Sequence, residues 1–91
     1  MELKDLRQKI DIVDAELIEL LEKRMDIAAD IAAYKRGANA PVRDSAREAE
    51  KLAAVRARCR PETAEEIARV FEAVMAASRA YQTAWMEEQD G

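Results

Sequence analysis

Residues 3–34 read LKDLRQKIDIVDAELIELLEKRMDIAADIAAY, and a seven-residue repeat runs through them from end to end. Leu3, Ile10, Leu17, Arg24 and Ile31 fill its first seam position, and Leu6, Val13, Leu20, Ile27 and Tyr34 its second. Such spacing draws an apolar stripe along one face of a helix, the pattern of helices that wind around each other. No Gly or Pro interrupts it, so the spacing predicts one helix from about Leu3 to Lys35. One position breaks the stripe. The Arg24 guanidinium cannot release its proton, and burying it without a partner costs several kcal/mol. Arg24 must therefore meet water, a carboxylate of this protein, or an anion from outside.

The rest of the chain is punctuated as two more helices. Arg36-Gly37-Ala38-Asn39-Ala40-Pro41 is a cluster of helix-stop signals. A second helix is expected from about residue 45, capped by Asp44 or Ser45, to about Cys59, with Pro61 breaking it. Thr63-Ala64-Glu65-Glu66 reads as a capping box, opening a third helix over about 63–88. The fold expected is all-α, one domain over residues 1–91, with one very long N-terminal helix. A rod of 33 residues is about 50 Å long. A compact domain of 91 residues has a radius of gyration of only about 12 Å. The rod overhangs any core that its own chain can build, so a second copy is expected to cover the seam as an intertwined homodimer.

Composition narrows the function. With 15 Lys+Arg against 19 Asp+Glu the net charge is −4, which speaks against a nucleic-acid or anionic-membrane binder. No apolar run is long enough to span a membrane or to act as a signal region, and the single cysteine, Cys59, allows no intrachain disulfide. A cytoplasmic protein is expected. Histidine is absent, which removes histidine-based acid–base chemistry, serine triads and histidine metal sites. No metal-ligand cluster, glycine-rich phosphate loop or evident nucleophile stands in the sequence.

What remains is a set of polar residues in apolar stripes. Arg24 and Lys35 are eleven residues apart, three turns plus about 20°, and share a face about 16 Å apart. Arg7 lies about 25 Å from Arg24 and is rotated by roughly 100°, so it can join that face only from a second chain. On the third helix the stripe Ile67, Val70, Phe71, Val74, Met75 is interrupted by Ser78 and Gln82 before Trp85. Trp85, Phe71 and Tyr81 read as core or seam residues. A buried hydroxyl and amide must be hydrogen-bonded, either between helices or to a ligand. Asp44, Arg47 and Glu48 cover one face of the first turn of the second helix, as a cap with surface ion pairs or as part of a site. Glu50, Lys51 and the run Arg56 to Arg60 read as solvated charge. Several cations, an amide, a hydroxyl and a carboxylate pair suit a small polyanion that also carries a hydroxyl. Chemistry on it would proceed by positioning and electrostatic stabilisation.

The chain resembles the all-helical class of chorismate mutases over about Leu3 to Trp85. The resemblance rests on Leu6-Arg7-Gln8-Lys9-Ile10-Asp11, Leu20-Leu21-Glu22-Lys23-Arg24, Lys35, Pro41-Val42-Arg43-Asp44-Ser45-Ala46-Arg47-Glu48 and Ser78-x-x-x-Gln82, in this order and at these spacings. It implies a three-helix protomer, an intertwined homodimer with two active sites, and conversion of chorismate to prephenate on the route to phenylalanine and tyrosine, without cofactor or metal. Carried over position by position, Arg24 and the Arg7 of a second chain would hold the substrate carboxylates. Lys35 and Gln82 would donate to the ether oxygen, and Glu48 would accept from the ring hydroxyl with Asp44 assisting. Arg47 and Ser78 would complete the lining. A stand-alone enzyme and a mutase domain of a bifunctional enzyme fit equally well. Two rivals stand beside it. An isochorismate pyruvate lyase uses a similar helical dimer, but such lyases generally lack the intact Asp-x-x-Arg-Glu segment that spans Asp44 to Glu48. A non-catalytic dimerisation or adaptor module explains the seam but not its polar interruptions.

Overall fold

The computed structural model describes residues 2–90 and contains three helices: α1 (Leu3–Gly37), α2 (Ser45–Arg58) and α3 (Ala64–Asp90). The architecture is all-α. α1 and α3 each run two residues further than the sequence suggests, and α2 stops one residue earlier. The reason at the end of α1 is local. Asn39, not Gly37, takes the left-handed conformation, with φ 54°. Around it Ala40 N donates to Lys35 O (2.8 Å) and Asn39 N to Arg36 O (3.2 Å). This pair of bonds satisfies the last carbonyls of the helix and turns the chain, with Pro41 just beyond to prevent its resumption.

At the start of α2, Asp44 is the cap: its carboxylate accepts from Arg47 N at 3.0 Å. The expected capping box at α3 does not form that way. Thr63 lies in a turn, where its N donates to Arg60 O (3.1 Å) and its hydroxyl donates to the same carbonyl (3.4 Å). Glu66 instead pairs with Arg69 one turn on. The turn at 61–63 leads straight into the helix, and the Thr63 hydroxyl is used on the turn rather than on an amide of the first helical turn.

α3 packs against both α1 and α2, and the described residues bring no backbone of α1 close to α2. The Arg36–Asp90 ion pair joins the C-terminal ends of α1 and α3, so these two run in the same sense. Arg56–Glu65 and Arg79–Glu48 span the hairpin of α2 and α3. Among the described residues the buried apolar ones are Ala28, Ala32, Val55, Ala68 and Met75, and no large side chain is fully buried. Phe71 and Trp85 are half-buried and Tyr81 is exposed, so these three do not form the centre of the core.

The long seam is not what holds α1 to its own chain. α1 touches α3 through a neighbouring stripe that includes Ala28 and Ala32, where small side chains let the helix backbones approach. Leu3, Leu6, Ile10, Val13, Leu17, Leu20, Ile27, Ile31 and Tyr34 all stay exposed. Residues 2–20 are exposed throughout. The molecule is accordingly long, 54 × 27 × 14 Å with a radius of gyration of 16.3 Å. No helix among the described residues is long and apolar enough to cross a membrane.

Candidate active site

The second half of α1, the start of α2 and the middle of α3 line a cavity of about 270 Å³ that is partly open to solvent. α1 contributes Arg24, Ile27, Ala28, Ile31 and Lys35, a single stripe at helical spacing. The connecting loop adds Val42. α2 adds Asp44, Arg47, Glu48 and Lys51, and α3 adds Met75, Ser78, Arg79 and Gln82. Seven of the eight residues singled out in the sequence therefore line one cavity. The eighth, Arg7, stands exposed on the overhanging half of α1, away from it.

Charge in the cavity opposes that of the chain. Five cations (Arg24, Lys35, Arg47, Lys51 and Arg79) face two carboxylates, Asp44 and Glu48, inside a protein of net charge −4. Low-dielectric walls strengthen such a field at the position of a bound anion. Five of these seven charged groups have a hydrogen-bond partner among the described residues, and Arg24 and Lys51 have none. Lys35 Nζ donates to Val42 O at 2.6 Å, which ties the loop after α1 to the helix and leaves two ammonium protons for other acceptors. The Asp44 carboxylate is occupied by the Arg47 backbone amide, whereas the Arg47 guanidinium donates to Glu50 Oε1 at 2.9 Å on the exposed side. Glu48 Oε1 accepts from Arg79 Nη1 at 2.5 Å. Arg24 is half-buried and makes no ion pair or side-chain hydrogen bond among the described residues. Of its three possible partners, a side-chain carboxylate of the described residues is thereby removed.

Among the described residues Ser78 and Gln82 are the two buried polar ones, 7% and 6% exposed, one helical turn apart on α3. Gln82 Nε2 donates to Ser78 Oγ at 3.0 Å, and Gln82 Oε1 has no partner. A buried amide oxygen without a hydrogen bond is uncommon and calls for a reason. A half-turn of the amide supplies one. The Ser78 hydroxyl would then donate to Oε1, and the Nε2 protons would be free for another acceptor.

Two lining residues escaped the sequence reading. Lys51, taken as solvated, is half-buried and faces the cavity. It continues the face of Asp44 and Arg47 by one turn, a spacing that could have exposed it. Arg79 follows Ser78 directly, but its partner Glu48 is 31 residues away on another helix. No local pattern announces that pairing. Glu50 and Arg56, by contrast, do lie on the outside, in exposed ion pairs with Arg47 and Glu65.

An all-helical protein that lines a cationic cavity with an unpaired arginine, a buried amide and a carboxylate has the features of an enzyme acting on a small anion by positioning and hydrogen bonding. Comparison with known proteins makes the class specific. The sequence pattern of chorismate mutase type II matches residues 6–83, and the chain belongs to that family. A curated protein named chorismate mutase from Methanocaldococcus jannaschii (strain ATCC 43067 / DSM 2661 / JAL-1 / JCM 10045 / NBRC 100440) is 27% identical over 88 residues, covering 94% of this chain and 89% of that one. No solved structure matches.

Proposed function

We propose that the cavity between α1, α2 and α3 is where this chorismate mutase rearranges chorismate to prephenate, and that a second copy of the chain completes it. Family membership carries the activity. The observation that carries the assignment to this cavity is the conjunction of an uncommitted Arg24 with a buried Gln82 amide lacking one partner. In the rearrangement the ether C–O bond breaks as a C–C bond forms within the same molecule. Nothing leaves, and no nucleophile or base is required. The site must hold the substrate folded, with its two ends in contact, and stabilise the negative charge that builds on the ether oxygen.

The residues divide this work by position. Arg24 pairs with one substrate carboxylate and Arg47 orients the other, while the Ser78 hydroxyl, donating to Oε1, holds the Gln82 amide turned. Lys35 Nζ and the turned Gln82 Nε2 donate to the ether oxygen, bonds that strengthen as charge develops there. Glu48 accepts from the ring hydroxyl through Oε2, since Oε1 is engaged, and the Asp44 cap fixes the turn that carries it.

Several observations support the second copy. The apolar residues of the α1 seam are all exposed, and the buried apolar core of the described residues is made mostly of alanines. Burying a Leu or Ile side chain stabilises by about 1.5–3 kcal/mol, and the exposed seam offers many. An antiparallel partner helix on the seam would also bring the partner's Arg7 to the open side of the cavity, near Arg24. The half-buried lone thiol Cys59 suits a cytoplasmic setting.

The test is incubation with chorismate and, separately, with isochorismate, with the products identified. Prephenate from chorismate is expected. No turnover of chorismate, or salicylate plus pyruvate from isochorismate alone, would overturn the reading.

A further inference from the structure

Glu48 is the one hydrogen-bond acceptor that the proposed mechanism assigns to the substrate, and it sits in the first turn of a 14-residue helix. A glutamate there has three rotatable bonds and two cations on its own helix, Arg47 and Lys51, toward which it could swing. It is held by another helix instead. Arg79 on α3 reaches across 31 residues of sequence to place Nη1 2.5 Å from Glu48 Oε1. Among the ion pairs of the described residues, this is the one in which both side chains are less than a third exposed, at 27% and 21%. In the others every side chain is at least 43% exposed. Exposed pairs contribute little, whereas a partly buried, charge-assisted bond restrains both partners. Arg79 and Glu48 both line the substrate cavity, and Arg79 also borders a second, wider depression beside Val42 and Thr83. Its guanidinium thus stands at the wall behind Glu48.

We propose that Arg79 is a positioning residue for the mutase reaction, fixing one oxygen of Glu48 so that the other faces the ring hydroxyl of the substrate. This rests on the function proposed above. The guanidinium does a second thing. The Glu48 carboxylate left unpaired would repel a substrate that carries two carboxylates, and Arg79 offsets that charge locally. The hydroxyl contact is made alike in the ground state and the transition state. Losing its alignment therefore weakens binding more than it slows the chemical step.

Steady-state kinetics on chorismate decide it, using the unmodified protein, Arg79→Met, Arg79→Lys, Glu48→Ala and the double variant Arg79→Met/Glu48→Ala. Arg79→Met is expected to raise KM about tenfold with kcat within about twofold, a pattern of lost uniform binding. Arg79→Lys should restore most of the loss, since it keeps the charge. In the Glu48→Ala background, Arg79→Met should change KM less than about twofold, because residues that act as one unit are not additive. If Arg79→Met melts below the assay temperature, Arg79→Gln keeps a donor and most of the packing without the charge, and a KM rise is expected there too. A melting shift with unchanged KM would make Arg79 a structural tie only. An equal KM penalty with and without Glu48 would mean that it acts on the substrate directly. Either result overturns the proposal, as does a Glu48→Ala variant with normal kinetics. Absence of turnover in the unmodified protein would instead overturn the functional reading beneath it.

Discussion

Replacing Ser78 by Ala and Gln82 by Leu together should make the protein more stable and nearly inactive. Both side chains are more than nine-tenths buried, in a stripe shared with Ala68 and Met75. Between them they make one hydrogen bond, and Gln82 Oε1 makes none. A buried polar atom without a partner costs about 1–3 kcal/mol, whereas replacing both members of a hydrogen-bonded pair by apolar groups of similar shape is close to neutral. Leu fills nearly the volume of Gln and adds the benefit of apolar burial, about 1.5–3 kcal/mol if complete. A net gain of about 2 kcal/mol is expected. For a chain of this size that is a rise in Tm of roughly 10 °C, compared at one protomer concentration because the proposed dimer would add to stability. Turnover should fall by about 10²–10³, the usual loss when a donor to a developing negative charge is removed. Denaturant melts and chorismate kinetics on the same preparation read both quantities. A double variant that is less stable by more than about 1 kcal/mol, or that turns over chorismate normally, would refute the view that these two residues are kept polar for the substrate.

Three further outcomes follow from the structure. Asn39→Val should destabilise by about 1–2 kcal/mol because a β-branched residue is strained at φ 54°, whereas Asn39→Gly should be tolerated; thermal melts separate the two. Leu17→Glu, on the exposed seam, should shift the protein from twice the chain mass toward the chain mass in sedimentation equilibrium, and an unchanged mass would count against that face as the dimer contact. A bicyclic dicarboxylate shaped like the transition state, at about 100 times its Kd, should add about 2.7 kcal/mol to unfolding. An unshifted melt at saturation would favour a binding module without catalysis.

The helices were legible because their punctuation is chemical. Asn39-Ala40-Pro41, Asp44 and Pro61 each stop or start a helix for a local reason, and the bounds move by no more than two residues. Helical spacing also places Arg24 and Lys35 on one wall, and Ser78 with Gln82 on another. Which face of α1 binds its own chain was not legible in the sequence. Its Leu- and Ile-rich stripe is the stronger hydrophobic signal, yet α3 packs on the weaker one at Ala28 and Ala32, where close approach matters more than apolar bulk. The Glu48–Arg79 bond was not legible at all. It depends on the register between α2 and α3, set by a turn whose geometry differs from the expected capping box.

A site divided between two chains is tested most directly by mixing two faulty ones. Arg7→Ala and Lys35→Ala protomers should each form dimers with crippled sites. After subunit exchange, a mixed dimer has one site with both residues intact and one with neither. Random pairing at equal concentrations then restores about a quarter of the sites of the unmodified enzyme, by the symmetry of a twofold dimer. Chorismate turnover recovering to about that level is the expected result. No recovery, with exchange demonstrated by the mass of tagged mixed dimers, would contradict a cavity completed by the Arg7 of a second chain.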